Sequence, residues 1–331
     1  MASNVVLPDP TVDLNWNGFR GGECHPSKSF RYRCRDIYRV RRESKWLTWI
    51  FLLAIHKIFD SNAQKHPDWP CVVETKGPRN PERTFTYKQI NEASNQLAHY
   101  LVANGCVVGD VVMIYAHRGV DLVVAYMGAL KAGATVSVLD PQYPADRQKV
   151  LLEVANPDFL VQIRRATEDA GKLAATVSEF IASHLKIKAE VPSLFLADDG
   201  ELQGGDVNGK DCLEAQKATR GKGTGVLVGP DSAPTLSFTS GSEGKPKGVL
   251  GRHFSLTYYF PWMAERFGLS EKDKFTMLSG IAHDPIQVGL TIQYPAMYTG
   301  LHHTARYLHA ALPRRPDRRS PPGYDCPRAP G

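Results

Sequence analysis

Hydrophobic residues in the middle of the chain follow two alternating patterns. Short runs dominated by Val, Ile, Leu and Phe are typical of buried strands, whereas longer segments with an apolar residue at every third or fourth position are typical of helices. The short runs predict strands at 71–74, 84–86, 111–115, 135–139, 159–163, 234–238 and 274–278. The periodic segments predict helices at 55–66, 87–104, 119–132, 144–155 and 253–267.

This alternation of strands and helices predicts an α/β fold. Strands that are separated by helices of this length join in parallel, and the helices then cover both faces of the sheet. The expected core is a largely parallel sheet flanked by helices within residues 54–287.

Four stretches depart from the regular pattern. Residues 1–21 contain Pro and Asn and predict a loosely held N-terminal arm, and residues 198–232, rich in Gly, Asp and Lys, predict a mobile surface loop. Residues 22–53 combine clustered Arg with an apolar run and form an anomalous insertion. Residues 288–331 lack apolar periodicity over 312–323 and predict a basic, disordered tail.

The charge of the chain is concentrated in two of these stretches. Of a net charge of +6, residues 22–53 carry +5 (eight Lys/Arg, three Asp/Glu) and residues 288–331 carry +4 (six Arg, two Asp), which leaves −3 for the remainder. The body of the chain therefore lacks the basic face with interleaved aromatic residues that nucleic-acid binding requires, and no nucleic-acid partner is expected.

Cysteine usage and hydropathy indicate a cytoplasmic protein without a membrane partner. The six cysteines, at 24, 34, 71, 106, 212 and 326, show no CxxC spacing, so neither a zinc site nor a disulfide framework is predicted. Residues 1–19 lack the pattern of a signal peptide. The most apolar run, residues 46–55, is about half as long as a bilayer span of about 20 residues.

The candidate chemistry lies in the loop that follows the strand at 234–238. Residues 239–248 read Thr-Ser-Gly-Ser-Glu-Gly-Lys-Pro-Lys-Gly. Glycines allow backbone N–H groups to approach phosphates closely, hydroxyls add donors and lysines add positive charge. A Walker P-loop is excluded because only two residues separate Gly241 from Gly244 and because Pro246 follows Lys245. A plain surface turn is the structural alternative.

This loop resembles the phosphate loop of the adenylate-forming (AMP-binding) superfamily, Ser/Thr-Ser-Gly-Ser/Thr-Thr-Gly-x-Pro-Lys-Gly. Glu243 departs from the usual threonine, and the variant Ser-Gly-Ser-Glu-Gly is similar to that of fungal α-aminoadipate reductases. The resemblance implies the N-terminal lobe of the adenylate-forming fold. It also implies an ATP-phosphate site formed by Thr239, Ser240, Gly241, Ser242, Gly244, Lys245, Lys247 and Gly248.

Three further stretches resemble the superfamily. Residues 85–90 resemble the segment that leads into its first helix, and residues 130–147 resemble its second core motif, for which we expect a scaffold role. His283 and Asp284 stand where the fourth motif of amino-acid-activating members places an aromatic residue or His followed by Asp, which contacts the substrate ammonium. A turn at Asp284 before Pro285 is an equally open interpretation.

The resemblance implies a reaction and its ligands. A carboxylate, α-aminoadipate, attacks the α-phosphate of ATP with Mg²⁺, which gives an acyl-adenylate and pyrophosphate as the first step toward the semialdehyde in lysine biosynthesis. Phosphopantetheine and NADPH act only in the full-length family enzyme. Because Tyr-Gly-x-Thr-Glu and Thr-Gly-Asp motifs are missing, the chain is expected to be truncated and to make no adenylate alone, with no complete catalytic set and no metal site of its own.

Several alternatives stay open at this point. A peptide-synthetase or acyl-CoA-ligase adenylation fragment, or a non-catalytic nucleotide-binding or interaction protein, would also account for parts of the pattern. For residues 22–53 we favour a translated intron over a basic amphipathic membrane anchor, and for residues 288–331 out-of-frame or intronic translation over a genuine basic tail. The oligomeric state is not indicated.

Overall fold

The central sheet has five strands in the order β4-β3-β5-β6-β7. In this computed structural model the chain is described at residues 54–76, 81–239 and 246–257, and at 259, 267, 273, 275–277, 281 and 297–299. Strands β3, β4, β5 and β6 are mutually parallel and β7 adds an antiparallel edge. Their bounds are β3 Val111–Tyr115, β4 Thr135–Leu139, β5 Phe159–Ile163, β6 Ala189–Leu196 and β7 Leu202–Gln203. The prediction of a largely parallel α/β sheet is confirmed.

Six α-helices surround or precede these strands in the described part of the chain. They are α1 Ile55–Lys65, α2 Tyr87–Ala103, α3 Val120–Lys131, α4 Ala145–Ala155, α5 Arg164–Ala170 and α6 Ala175–His184. Every residue of β4 is buried, as are four of the five in β3. Successive side chains of a strand point to opposite faces, so both faces of the central sheet are covered, which explains their unbroken apolar runs.

Two smaller sheets complete the described structure beside the central one. Strand β1 (Pro70–Glu74) pairs antiparallel with β2 (Arg83–Thr86) and parallel with β13 (Met297–Thr299), which in turn pairs with β12 (Phe275–Thr276). Strands β10 (Leu236–Thr239) and β11 (Lys247–Leu250) form a two-stranded hairpin. Only β13 is described within residues 288–331, and the proposed boundary at 287 stays a prediction.

Helix α2 begins where the sequence places a capping signal. Thr86 accepts a hydrogen bond from the Gln89 amide, and the Gln89 side chain accepts one from the Thr86 amide, which together form a capping box. These bonds satisfy backbone N–H groups that a helix start leaves free, and a box of this kind contributes about 1 kcal/mol. The segment 85–90 therefore acts as the expected entrance to a helix.

A buried ionic cluster joins four elements around Glu74 at the end of β1. The Glu74 carboxylate accepts hydrogen bonds from the Val120 amide at the start of α3 (2.7 Å), from Arg165 Nη1 of α5 (2.8 Å) and from Arg83 Nε of β2 (3.0 Å). Beside it, buried Asp121 accepts from the Leu196 amide (2.7 Å), and burial raises the pKa of its carboxyl to about 7. The cluster ties the small sheet to the central one.

Residues 198–232 are more firmly attached than predicted. They contain β7, the short hairpin β8 (Asp206–Val207) with β9 (Lys210–Asp211), and a 3₁₀ helix over Glu214–Thr219. The side-chain amides of Asn95 and Gln96 on α2 donate to the carbonyls of Arg220 and Leu213, both at 3.0 Å. The expectation of a mobile loop is wrong because polar side chains of a distant helix hold this segment in place.

Helices α5 and α6 and strand β6 were not predicted at all. Strand β6 alternates poorly because it carries Glu190, Pro192 and Ser193 and is only partly buried. Neither helix start carries a side-chain cap. These elements form because β5 offers an edge for β6, which local sequence does not show.

Gly133, between α3 and β4, lies in a left-handed conformation with φ of +85°. A Cβ there would lie 3.0 Å from both Val108 Cγ2 and Val226 Cγ1. We expect Gly133→Ala to lower the free energy of unfolding by about 1–3 kcal/mol, measured by urea denaturation. Gly105, with φ of +83° and no neighbour within 4 Å of a Cβ, is the matched control. An equal loss in Gly105→Ala would show that packing at Gly133 contributes nothing beyond backbone strain.

Candidate phosphate-binding hairpin

The loop with the candidate chemistry connects the two strands of the β10–β11 hairpin. Thr239 pairs with Lys247 and Phe238 pairs with Gly248, so both ends of the loop are fixed by an antiparallel ladder. Thr239, Lys247 and Gly248 are all exposed. The predicted site residues Ser240, Gly241, Ser242, Gly244 and Lys245 lie outside the described residues, as do His283 and Asp284.

The hairpin extends the central sheet beyond β4. Val136 of β4 forms a parallel bridge with Thr235, and the Val136 amide donates to the Pro234 carbonyl at 2.9 Å. Because β10 runs in the same direction as β4, Thr239 lies toward the edge where the parallel strands have their carboxyl ends. Ligands of open α/β sheets bind at this edge.

Hydroxyl side chains of β4 hold the hairpin against the sheet. Thr135 Oγ1 donates to the Ala233 carbonyl (2.8 Å) and Ser137 Oγ donates to the Leu236 carbonyl (3.0 Å). Both hydroxyl residues are buried. The sequence analysis missed this function, although the alternation of Thr135 and Ser137 with Val136 and Val138 in a buried strand was a visible signal.

The charge and shape of the described loop ends suit an anion. The Lys247 side chain forms no ion pair with any residue that the structure describes, and it is exposed beside Gly248. A Cβ on Gly248 would lie 2.9 Å from Leu236 Cδ1 and 3.4 Å from Val154 Cγ1. Gly248 is therefore required for close packing within the hairpin, in addition to any approach to a ligand.

The base of the hairpin contacts helix α1 through a buried histidine. His253 Nδ1 accepts a hydrogen bond from the Ile55 amide, the first N–H of α1, at 3.2 Å. Its ring meets that of His56 edge-on, with centroids 5.9 Å apart. Burial lowers the pKa of His253 to about 3 and holds the pKa of His56 well below its usual range, so both rings are neutral near pH 7.

The second core motif forms a turn next to this edge of the sheet. Asp140, directly after β4, accepts a hydrogen bond from the Gln142 amide at 2.9 Å, and the Gln148 side chain donates to the Tyr143 carbonyl at 3.0 Å. The Arg147 guanidinium lies 4.1 Å from the centre of the Tyr143 ring. These contacts are internal to the motif, as expected of a scaffold.

Two general searches of the described residues gave no further site. No group of three or more His, Cys, Asp or Glu side chains in that part of the chain is arranged to hold a metal ion. None of the helices described there is both long and apolar enough to cross a bilayer.

The fold is that of the adenylate-forming enzymes. The crystal structure of a fatty acyl-adenylate ligase from L. pneumophila, in complex with acyl adenylate and pyrophosphate, matches with a TM-score of 0.56. The match covers 78% of this chain and 42% of the ligase at 19% sequence identity, so it shows the fold alone.

The chain belongs to the AMP-binding enzyme family, whose model matches residues 59–305. It is 55% identical over 283 residues to the L-2-aminoadipate reductase large subunit of Penicillium chrysogenum, and 49% identical over 288 residues to the L-2-aminoadipate reductase of Saccharomyces cerevisiae. The resemblance to fungal α-aminoadipate reductases is confirmed. Each alignment covers 86% of this chain, which spans only 18% of the length of these relatives.

Proposed function

We propose that this chain is part of an adenylation domain and that residues 239–248 hold the β- and γ-phosphates of ATP while a carboxylate is activated. The observation that carries the proposal is the place of the hairpin, whose exposed Thr239 and Lys247 flank the loop at the carboxyl edge of the sheet in a member of the AMP-binding enzyme family. Amides, hydroxyls and ammonium groups at such a place stabilise phosphate charge.

The chemistry asked of this loop is positioning and charge stabilisation. A carboxylate oxygen bonds to the α-phosphorus, the bond to the bridging oxygen of the β-phosphate breaks, and pyrophosphate leaves with the electron pair. Donors fixed in advance around the leaving group stabilise the charge that develops there. Lys247 and the loop amides would supply those donors, and Mg²⁺ bound to the nucleotide would neutralise further phosphate charge.

We further propose that the carboxylate is α-aminoadipate. The support is the 49–55% identity to proteins named L-2-aminoadipate reductase. His283 and Asp284 remain the proposed contacts to the substrate. The later steps with phosphopantetheine and NADPH are proposed only for the longer protein. The unpaired thiols of Cys71 and Cys106 are consistent with a cytoplasmic location.

The experiment is calorimetric titration of the chain with Mg·ATP and with pyrophosphate. We expect Lys247→Ala to weaken both affinities about tenfold, because one charge-assisted hydrogen bond contributes about 1.5–3 kcal/mol. The matched control is Lys210→Ala, which removes an exposed lysine from β9. No binding by the wild-type chain, or equal losses in the two variants, would contradict the proposal.

The substrate is tested in the same titration with Mg·ATP present. We expect α-aminoadipate to bind more tightly than glutamate, which is one methylene shorter, and more tightly than octanoate. A preference for octanoate would contradict the substrate and favour an acyl-CoA-ligase type of site.

A further inference from the structure

The hairpin that carries the loop is joined to the central sheet by an incomplete ladder. The backbone bond between β4 and this segment lies at Pro234, and β10 and β11 form a separate two-stranded sheet. In the described residues, the hydrogen bond from β4 that reaches furthest toward Thr239 is donated by a side chain, from Ser137 Oγ to the Leu236 carbonyl at 3.0 Å.

We propose that Ser137 is a positioning residue for the phosphate loop. Its hydroxyl is 1% exposed and takes the place of a ladder bond, so it fixes Leu236 three residues before the loop begins. This inference rests on the proposed function, since it assigns to Ser137 the placement of the groups that hold the ATP phosphates.

Leu236 passes its position to both ends of the loop. Along β10 it leads to Thr239, and across the hairpin its Cα partner is Leu250. Its side chain also fills the space beside Gly248, where a Cβ would come within 2.9 Å of Leu236 Cδ1. Gly248 directly follows Lys247, so a shift of Leu236 displaces Thr239 and Lys247 together.

Loss of the hydroxyl leaves a buried carbonyl without its partner. Leu236 is only 9% exposed, so water does not readily replace the hydrogen bond. An unsatisfied buried acceptor costs enough free energy to favour movement of the strand toward another donor. The strand that moves is the one that carries the loop.

The test is the affinity of the full chain for Mg·ATP and pyrophosphate in Ser137→Ala, together with its melting temperature. We expect both affinities to fall about fivefold to tenfold, as for loss of one well-placed hydrogen bond. Ser137→Thr, which keeps the hydroxyl, is expected to restore them to within twofold of wild type. A purely structural role would lower the melting temperature without this pattern of loss and rescue.

The matched control is Ser94→Ala on α2. Ser94 is also buried and donates to a backbone carbonyl, that of Asn91 at 3.1 Å, but it lies away from the hairpin. We expect this variant to lose stability and to keep its affinity for Mg·ATP. If Ser137→Ala does not fold, Ser137→Cys replaces it, because it keeps the volume and weakens the donor.

The outcomes separate the two proposals. If wild-type chain binds neither Mg·ATP nor pyrophosphate, the proposed function is wrong and the role of Ser137 with it. If wild type binds both and Lys247→Ala weakens binding, while Ser137→Ala and Ser137→Cys match wild type, only the role of Ser137 is overturned. Equal affinity losses in Ser94→Ala and Ser137→Ala also overturn it.

Discussion

Replacing Glu74 by glutamine is expected to lower the free energy of unfolding by about 3–5 kcal/mol, the usual cost of removing one partner of a buried ion pair. The Glu74 carboxylate accepts from Arg83, from Arg165 and from the first amide of α3, and Glu74 is 7% exposed. Glutamine removes the charge, so two guanidinium groups lose their counter-charge in a poorly solvated place.

The measurement is urea denaturation at pH 7 of wild type, Glu74→Gln and Glu201→Gln. Glu201 pairs with Lys217 (2.8 Å) and with Arg220 near the surface, where an ion pair contributes about 0–1 kcal/mol. A loss in Glu74→Gln as small as that in Glu201→Gln would show that the cluster does not hold the two sheets together.

Replacing His253 by asparagine is expected to remove about 3 kcal/mol of acid destabilisation between pH 7 and pH 4. The folded protein holds the pKa of His253 at about 3, against an ordinary value of 6.5. Between these values the unfolded chain binds a proton that the folded chain excludes, so stability is present above pH 6.5 and is lost as the pH falls toward 3. Protonation of Nδ1 would also break the bond from the Ile55 amide.

The comparison of variants is needed because other buried groups titrate in the same range. His56, whose pKa is lowered first by burial and then by the charges of His253, Lys57 and Lys131, loses stability in the same direction. Asp121 acts oppositely, because its pKa is raised to about 7 and the folded chain holds its proton more tightly. Unfolding at pH 4 and 7 isolates His253, and parallel pH profiles for wild type and His253→Asn would contradict its role.

The first half of the central sheet could be predicted because its signals are local. Strands β3, β4 and β5 are unbroken apolar runs, and glycine or proline stands beside the helices between them. Strand β6 could not be predicted in this way, because Pro192 and the polar residues around it obscure the alternation. Its place depends on pairing with β5, which is a tertiary effect.

The position of the candidate site was also legible, but not its supports. Residues 239–248 identify themselves by composition. Ser137 lies 99 residues from its partner Leu236, and His253 lies 198 residues from Ile55. No window of sequence contains either pair, so these contacts emerge only when the chain is folded.

The slender construction of the β10–β11 hairpin has a consequence for behaviour on heating. A two-stranded ribbon is marginal alone, and this one draws its rigidity from Ser137, from α4 and from His253. The five-stranded sheet has far more buried area to lose before it melts. Warming should therefore loosen the ribbon while the sheet is still intact, so the grip on a nucleotide would fade at a lower temperature than the fold itself.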